Sequence, residues 1–267
     1  AEYMHREAFD LADRYGKDQF LLIRKLGTDR LPDFFGLKSR CDAFLSRMRG
    51  VPENLIDRLL YAAGRLLPDH LPRRMRDWRR RFEHHLILKV SHKDASEAET
   101  LLGQWRREGQ ADYFLCTPDE GTKAYLHRFV TAGAAVRYQA VHPRETSGIV
   151  ALDIALRRND MDWFERLSPA LAGRLRHRIY YGHFLCHVLH QDYIANAGED
   201  CADIKAQMLV QLKARGARYP AEHNVGNQYV AEPQLAGFYR RLDPGNRFNA
   251  GIGGMSRWRN YAGSSPA

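Results

Sequence analysis

Three histidines within eight residues, His183, His187 and His190, and a later Glu222-His223 pair are the side chains best able to do chemistry in this 267-residue chain. An imidazole changes charge near neutral pH, so any of the histidines could serve as a general base. Two histidines and a glutamate also supply the nitrogen and oxygen donors that a divalent metal takes. A histidine in an apolar run is as readily hydrogen-bonded inside a core, and on residue type alone these outcomes stay open. On a helix the three histidines share a face. On an undistorted strand His183 and His190, an odd number apart, point to opposite faces. The intervening Phe-Leu-Cys-His-Val-Leu announces no bulge that would change this. Arg157-Arg158 are the second candidate, because paired guanidinium groups clamp a substrate carboxylate, although two arginines at a strand end also serve as surface charge. The chain has no GxGxxG, Walker A or GxSxG motif, so it signals no dinucleotide fold of its own. Cys41, Cys116, Cys186 and Cys201 stand alone without zinc spacing and are expected as reduced thiols of a cytosolic protein.

These residues need elements to hold them. With 44% hydrophobic content the chain can bury a substantial core in one or two domains. Periodicity and turn residues predict a strand end and helix over 1–16, a turn at 31–36 exposing Phe34 and Phe35, and helices over 55–67 and 71–82. Strands are expected at 84–90, 111–116 and 151–156, and helices at 96–107, 118–132, 203–215 and 233–242. Thr117, Pro118, Asp119 and Glu120 mark the start of the 118–132 helix. Residues 163–176 read as mostly helical and 180–190 as a strand or a buried helix. The alternation predicts an α+β fold with helices on one face of a sheet. Gly, Asn and Pro cluster after Tyr219, giving irregular loops of the kind that approach a ligand closely.

Charge is concentrated. Residues 24–82 hold 15 Lys+Arg against 7 Asp+Glu, a balance of +8 within a whole-chain balance of +9. Such a field points to one anionic surface, phospholipid or nucleic acid. In the 71–82 helix, Leu71, Met75, Trp78 and Phe82 form an apolar stripe, with Arg73, Arg74, Arg76, Arg79, Arg80 and Arg81 around it. That pattern suits a membrane interface and also a surface helix packed on its own domain. In the 55–67 helix, Leu55, Ile56, Leu59, Leu60, Ala63, Leu66 and Leu67 make an apolar face opposite Arg58 and Arg65, and core packing is its expected fate. The apolar runs are too short to span a bilayer and residues 1–25 do not form a signal peptide, so membrane attachment would be peripheral. The opening Ala-Glu-Tyr-Met-His is expected of the later part of a longer polypeptide.

Many stretches together resemble the respiratory, quinone-linked D-lactate dehydrogenases. They include Glu2-Tyr-Met-His-Arg, Gly16-Lys17, Lys25-Leu-Gly-Thr-Asp, Leu71-Pro-Arg-Arg-Met-Arg-Asp-Trp-Arg, Glu83-His-His-Leu, Cys116-Thr-Pro-Asp-Glu-Gly and Arg137-Tyr-Gln-Ala-Val-His. Ala151-Leu-Asp-Ile-Ala-Leu-Arg-Arg-Asn-Asp, Tyr181-Gly-His-Phe, His190-Gln-Asp-Tyr and Tyr219-Pro-Ala-Glu-His-Asn-Val-Gly continue the likeness. That family is FAD-dependent and belongs to the flavoprotein fold typified by vanillyl-alcohol oxidase, with a flavin domain, a cap domain and a basic membrane-binding segment. The resemblance implies that this chain is the C-terminal part: the start of an α+β cap with an antiparallel sheet (1–24), a basic helical membrane-binding insertion (25–82), the rest of the cap (83–218) and the end of the flavin domain (219–267).

The resemblance also implies roles. In FAD-linked 2-hydroxyacid dehydrogenases a His-x6-His motif and a later Glu-His-Gly-x-Gly motif line the substrate side of the flavin. His183, His190, Glu222 and His223 match them. Some relatives hold a divalent metal with the two His and the Glu. Here apolar residues replace the usual Gly-Asp-Gly-Asn between the histidines, and Asn224 stands where Gly is usual. His223 is then the expected base, tuned by Glu222, and Asn249 a flavin contact. Relatives carry a Lys where this chain has Ala151, which leaves Arg157 or Arg158 for the lactate carboxylate. The implied partners are D-lactate, quinone and anionic phospholipid met by Arg73, Arg74, Arg76, Trp78, Arg79, Arg80 and Arg81, with no nucleic acid. The implied location is peripheral, on the cytoplasmic face of a bacterial inner membrane. A basic peripheral membrane or nucleic-acid binding module without activity of its own is the competing expectation.

Overall fold

The computed structural model describes residues 1–52, 54–157, 159–162, 164–186, 188–219, 231–248 and 250–263. Strand β1 (Glu2–His5) runs directly into helix α1 (Arg6–Tyr15), with the His5 side chain accepting a hydrogen bond from the Glu7 amide at the corner. Helices α2 (Lys17–Leu26), α3 (Leu31–Leu45), α4 (Leu55–Leu66) and α5 (Arg73–Arg81) follow, then strand β2 (His84–Ile87). After α6 (Ala95–Arg107) come α7 (Pro118–Phe129), opened by a Thr117–Glu120 capping box, and α8 (Thr131–Val141). Strand β3 (Thr146–Ala155), the short helix α9 (Pro169–Gly173), strands β4 (Leu175–His183) and β5 (Val188–Asn196), and helices α10 (Cys201–Ala214) and α11 (Pro233–Leu242) complete the described elements.

The five strands form one antiparallel sheet in the order β2-β1-β4-β5-β3. Successive side chains on a strand alternate faces. One face presents Met4, Ile179, Tyr181 and Ile194 to Ala8, Leu11 and Ala12 of α1 and to Ala134, Ala135 and Tyr138 of α8. The other presents Val150, Leu152, Ile154, Leu189 and Tyr193 to Ile204, Met208 and Leu212 of α10. The mixed helix and antiparallel sheet agree with the α+β expectation. The expected one-sided layering is corrected: both faces carry apolar rows, and each row needs a cover.

Four local expectations change. Residues 31–36 begin α3 instead of forming a turn, with Pro32 in the first helical turn, where a missing amide hydrogen costs nothing. Residues 111–116 pair with no strand; Phe114 packs edge-on to Trp78 and Arg106 lies over Tyr113, so their apolar alternation serves the flanking helices. Of the 163–176 stretch only Pro169–Gly173 is helical, capped by Ser168, while Phe164 stacks into the sheet against Tyr180 with ring centroids 4.4 Å apart. Residues 180–190 are neither one strand nor one helix, but the end of β4, a tight turn at Phe184–Cys186 and the start of β5. Among the described residues, no helix is long and apolar enough to cross a membrane.

Candidate functional site

The β4–β5 hairpin brings together side chains that the linear pattern set apart. In its register His183 lies opposite Val188, and Tyr181 lies opposite His190. Glu2 pairs with His183 on one side and Asp153 with His190 on the other. Reversal of the chain resets the alternation, so His183 and His190 share a face with ring centroids 5.5 Å apart. The expectation of opposite faces fails because it counted along one continuous strand. Gly182 makes the close turn possible: a Cβ there would lie 2.4 Å from the Val188 carbonyl oxygen.

Carboxylates orient both imidazoles. His190 Nδ1 lies 2.6 Å from Asp153 Oδ1, and His183 Nδ1 lies 3.0 Å from Glu2 Oε1. A carboxylate at Nδ1 favours the proton there and leaves Nε2 as the working nitrogen. Arg128 of α7 reaches the same place, 2.7 Å from Glu2 Oε2 and 3.4 Å from His183 Nε2, with its guanidinium over the Tyr181 ring. Burial lifts the Tyr181 hydroxyl far above its ordinary range, so it stays protonated and donates to Asp192 Oδ2 at 2.8 Å. Burial also pushes the Asp192 carboxyl up to about 6, the Tyr181 hydrogen bond opposing it. The cluster thus joins oriented bases, a fixed cation and a carboxyl that burial pushes up to about 6. Such groups can bind an anionic substrate and move its proton.

Of the expected metal ligands, His183 and His190 are described and Glu222 lies outside the described residues. Among the described residues no group of three or more His, Cys, Asp or Glu side chains is placed to hold a metal ion, and Arg128 stands 3.4 Å from the His183 Nε2 that a metal would need. A guanidinium held there repels a dication. Arg157 is also placed apart from the imidazoles: its guanidinium lies on Gly216, where a Cβ would come within 2.6 Å of three of its atoms. Gly216 follows α10, the helix packed on the opposite face of the sheet. Arg158, His187, Glu222, His223 and Asn249 lie outside the described residues. Sequence reasoning missed Glu2, Arg128, Asp153, Tyr181 and Asp192 as partners of the histidines. Only Asp153 left a signal, a carboxylate at alternate register between Leu152 and Ile154.

The basic region is also rearranged. Helix α5 forms as expected, but its stripe turns inward: Leu71 and Met75 are buried, and Trp78 packs on Phe114 and Phe82. Each arginine meets a carboxylate, Arg73 and Arg80 on Asp77, Arg74 on Glu120, Arg76 on Asp69, Arg79 on Asp10 and Arg81 on Asp112. Within the expected lipid belt of Arg73, Arg74, Arg76, Trp78, Arg79, Arg80 and Arg81, the Trp78 ring packs inward, while the guanidinium groups of Arg73, Arg74, Arg80 and Arg81 stay exposed at the surface. The stripe has found a core, and the six cations lie beside five carboxylates, Arg73 and Arg80 sharing Asp77.

Helix α4 differs. Leu59 is 59% exposed and Leu66 88%, while Asp57 is buried. Part of the apolar face expected to pack inward, Leu59, Ala63, Leu66 and Leu67, points outward, Leu55, Ile56 and Leu60 are half-buried, and the carboxylate points in. Arg137 of α8, only 1% exposed, holds it there: Nε lies 2.8 Å from Asp57 Oδ1 and Nη2 lies 3.0 Å from Asp18 Oδ2. Lys38 of α3 adds a 2.7 Å contact to Asp57 Oδ2 and a 2.9 Å contact to Asp42 Oδ2. Helix α3 buries no residue, and its Phe35, Leu37 and Phe44 are exposed. Around these apolar groups Lys25, Arg40, Arg47, Arg49, Arg58 and Arg65 are exposed and have no ion pair among the described residues. Outward leucine and phenylalanine ringed by unpaired cations is the pattern of an interfacial membrane surface.

Comparison with known proteins agrees with this layout. A family model described as D-lactate dehydrogenase, membrane binding, matches residues 1–261. The chain is 52% identical over 260 residues to the quinone-dependent D-lactate dehydrogenase of Escherichia coli, covering 97% of this chain and 46% of that protein. It is 48% identical over 262 residues to the Haemophilus influenzae protein of the same name and 40% identical over 263 residues to that of Corynebacterium glutamicum, covering 98% of this chain and 46% of the relative in both cases. The chain thus spans about half the length of the curated relatives it matches. Inward charge on α4, outward apolar groups on α3 and α4, and a family match over nearly all of the chain lead to one conclusion: it belongs to the D-lactate dehydrogenase membrane-binding family.

Proposed function

We propose that this chain is the lipid-docking and substrate-side half of a quinone-dependent dehydrogenase that oxidises D-lactate to pyruvate by hydride transfer to FAD. The exposed apolar groups of α3 and α4 carry the docking half of this reading, because Phe35, Leu37, Phe44, Leu59, Leu66 and Leu67 leave too much apolar surface on neighbouring helices to face water alone. Residues 25–82 form the docking insertion between the parts of a cap, 1–24 and 83–218, and residues 219–267 complete the flavin domain. Bound flavin would supply the hydride acceptor and the path of electrons to quinone. The oriented imidazoles and the Arg128 cation fit a carboxylate substrate beside such a ring. His223 takes the hydroxyl proton, Glu222 tunes it, Arg157 or Arg158 contacts the substrate carboxylate, and Asn249 touches the flavin. The protein sits peripherally on the cytoplasmic face of a bacterial inner membrane, where quinone is dissolved in the bilayer.

In the intact dehydrogenase, Leu59→Ser with Leu66→Ser separates docking from chemistry. D-lactate should still reduce a water-soluble dye at the normal rate, while reduction of membrane quinone falls by about tenfold or more, since each leucine contributes roughly 1.5–3 kcal/mol of apolar burial. Undiminished quinone reduction would remove α4 from the docking surface. Absence of lactate-dependent dye reduction in the unaltered enzyme would remove the catalytic reading.

A further inference from the structure

A second group of histidines, used by none of the chemistry above, lies in the seam between α5 and the rest of the molecule. His70 precedes α5, His127 belongs to α7, and His85 belongs to β2. His70 is 4% exposed and His127 1%. His70 Nε2 stands 3.4 Å from His127 Nδ1, and His127 Nε2 stands 3.1 Å from the Phe9 carbonyl oxygen. The Phe9 ring packs on His127 at 4.3 Å and on His85 at 5.5 Å, and Phe20 covers His70 at 4.4 Å. His70 Nδ1 and His85 Nε2 are buried without a hydrogen-bond partner among the described residues. Leu71 and Met75 of the α5 stripe share the same core. Arg76 of α5 is close enough to act on His70, and Arg79 to act on His85, so the triad lies beside the arginine helix.

We propose that α5 is a latent second lipid-contacting surface, held against the core by the uncharged triad His70–His127–His85 and released onto anionic phospholipid when the triad takes up protons. The proposal rests on the docking reading above and adds its regulation. The charged groups facing the triad are mixed: Arg6, Asp10 and Asp13 from α1, Lys17 from α2, Asp69 from the turn before α5, Arg76 and Arg79 from α5, His84 from β2 and Lys123 from α7. Burial first, then Lys17, holds His70 down to about 4, with Asp69 opposing. Burial likewise holds His85 to about 4, and burial with His70 puts His127 well below its ordinary range. Release would return the imidazoles to water, where they titrate near 6.5. The released state then binds more protons below that pH. Docking of α5 is fully supported above 6.5 and weakens progressively as pH falls toward 4, by about tenfold per histidine per pH unit. Release also exposes Trp78 and separates Arg74, Arg79 and Arg81 from Glu120, Asp10 and Asp112, which makes their charge available to lipid phosphate.

The test is flotation of the intact protein with phosphatidylethanolamine–phosphatidylglycerol vesicles at fixed ionic strength, together with hydrogen exchange of residues 70–82. From about pH 7.5 to about pH 5.5, vesicle partition should rise by up to on the order of a thousandfold, about tenfold for each of the three histidines, as α5 amides lose protection. His70→Phe with His127→Leu should cut that rise to the roughly tenfold that His85 alone supplies and largely keep α5 protected, and Trp78→Ala should blunt the rise while sparing binding at neutral pH. An equal rise in the histidine double variant would assign it to surface histidines and overturn the proposal. If that variant does not fold, protected α5 amides in the unaltered protein at about pH 5.5 overturn it instead. Failure to bind at neutral pH would count against docking through α3 and α4, not against the acid step.

Discussion

Replacing Arg137 with leucine is expected to destabilise the protein by roughly 3–5 kcal/mol, the usual consequence of removing one partner from a buried ion pair. The guanidinium is almost wholly enclosed and serves two carboxylates, Asp57 and Asp18, from different helices. Without it the Asp18 and Asp57 carboxylates are left without their shared cation, and among the described residues only Lys38 remains on Asp57. The melting temperature should fall, and amide protection in residues 55–66 should disappear before protection in the sheet. Combining Arg137→Leu with Asp57→Leu should recover much of the loss, because an apolar pair of similar size needs no counter-charge. Undiminished protection of α4 in the single variant would mean that something other than Arg137 fixes its orientation.

His223→Ala in the intact dehydrogenase is expected to lower turnover by about 10²–10⁴-fold, the range for a positioned general base. Flavin absorbance should be unchanged, since the side chain is proposed to act on the substrate. Asp153→Asn tests the neighbouring histidine by a different route. Asp153 touches His190 Nδ1 and orients it, so its loss should cost about 10–100-fold and alter the pH profile without removing the flavin. Equal losses in the two variants would place His190 and His223 in one proton path. Normal D-lactate oxidation by His223→Ala would remove that residue from the mechanism.

Residue order revealed elements more readily than it revealed which side of them faces inward. The capping box at Thr117 and Glu120 and the 3.6-residue stripe of α5 are local, and both were legible without a structure. The direction of a stripe is not local. Leucine packs equally well against a core or a bilayer, so α5 and α4 read alike in sequence, yet α5 turned its stripe inward and α4 left part of its apolar face exposed. Asp57 was the unheeded sign on α4, but its partner Arg137 lies 80 residues away and nothing in the spacing names it. The histidine motif showed the same limit. Alternation along one strand separates His183 from His190, and only the register of a hairpin reunites them. Arg128 and Glu2 reach that site from α7 and β1, elements whose own sequence patterns announce nothing but a helix and a strand end.

The most direct measurement compares two sets of substitutions in binding to phosphatidylglycerol-containing vesicles at neutral pH and low salt. Phe44→Ser, Leu59→Ser and Leu66→Ser remove the outward apolar groups of α3 and α4, whereas Arg73→Gln and Arg80→Gln remove charge from α5. The account predicts that the first set lowers partition by more than about tenfold, and that the second changes it by less than about threefold because those arginines already face Asp77. Loss of binding in the arginine set, with binding retained in the apolar set, would contradict it.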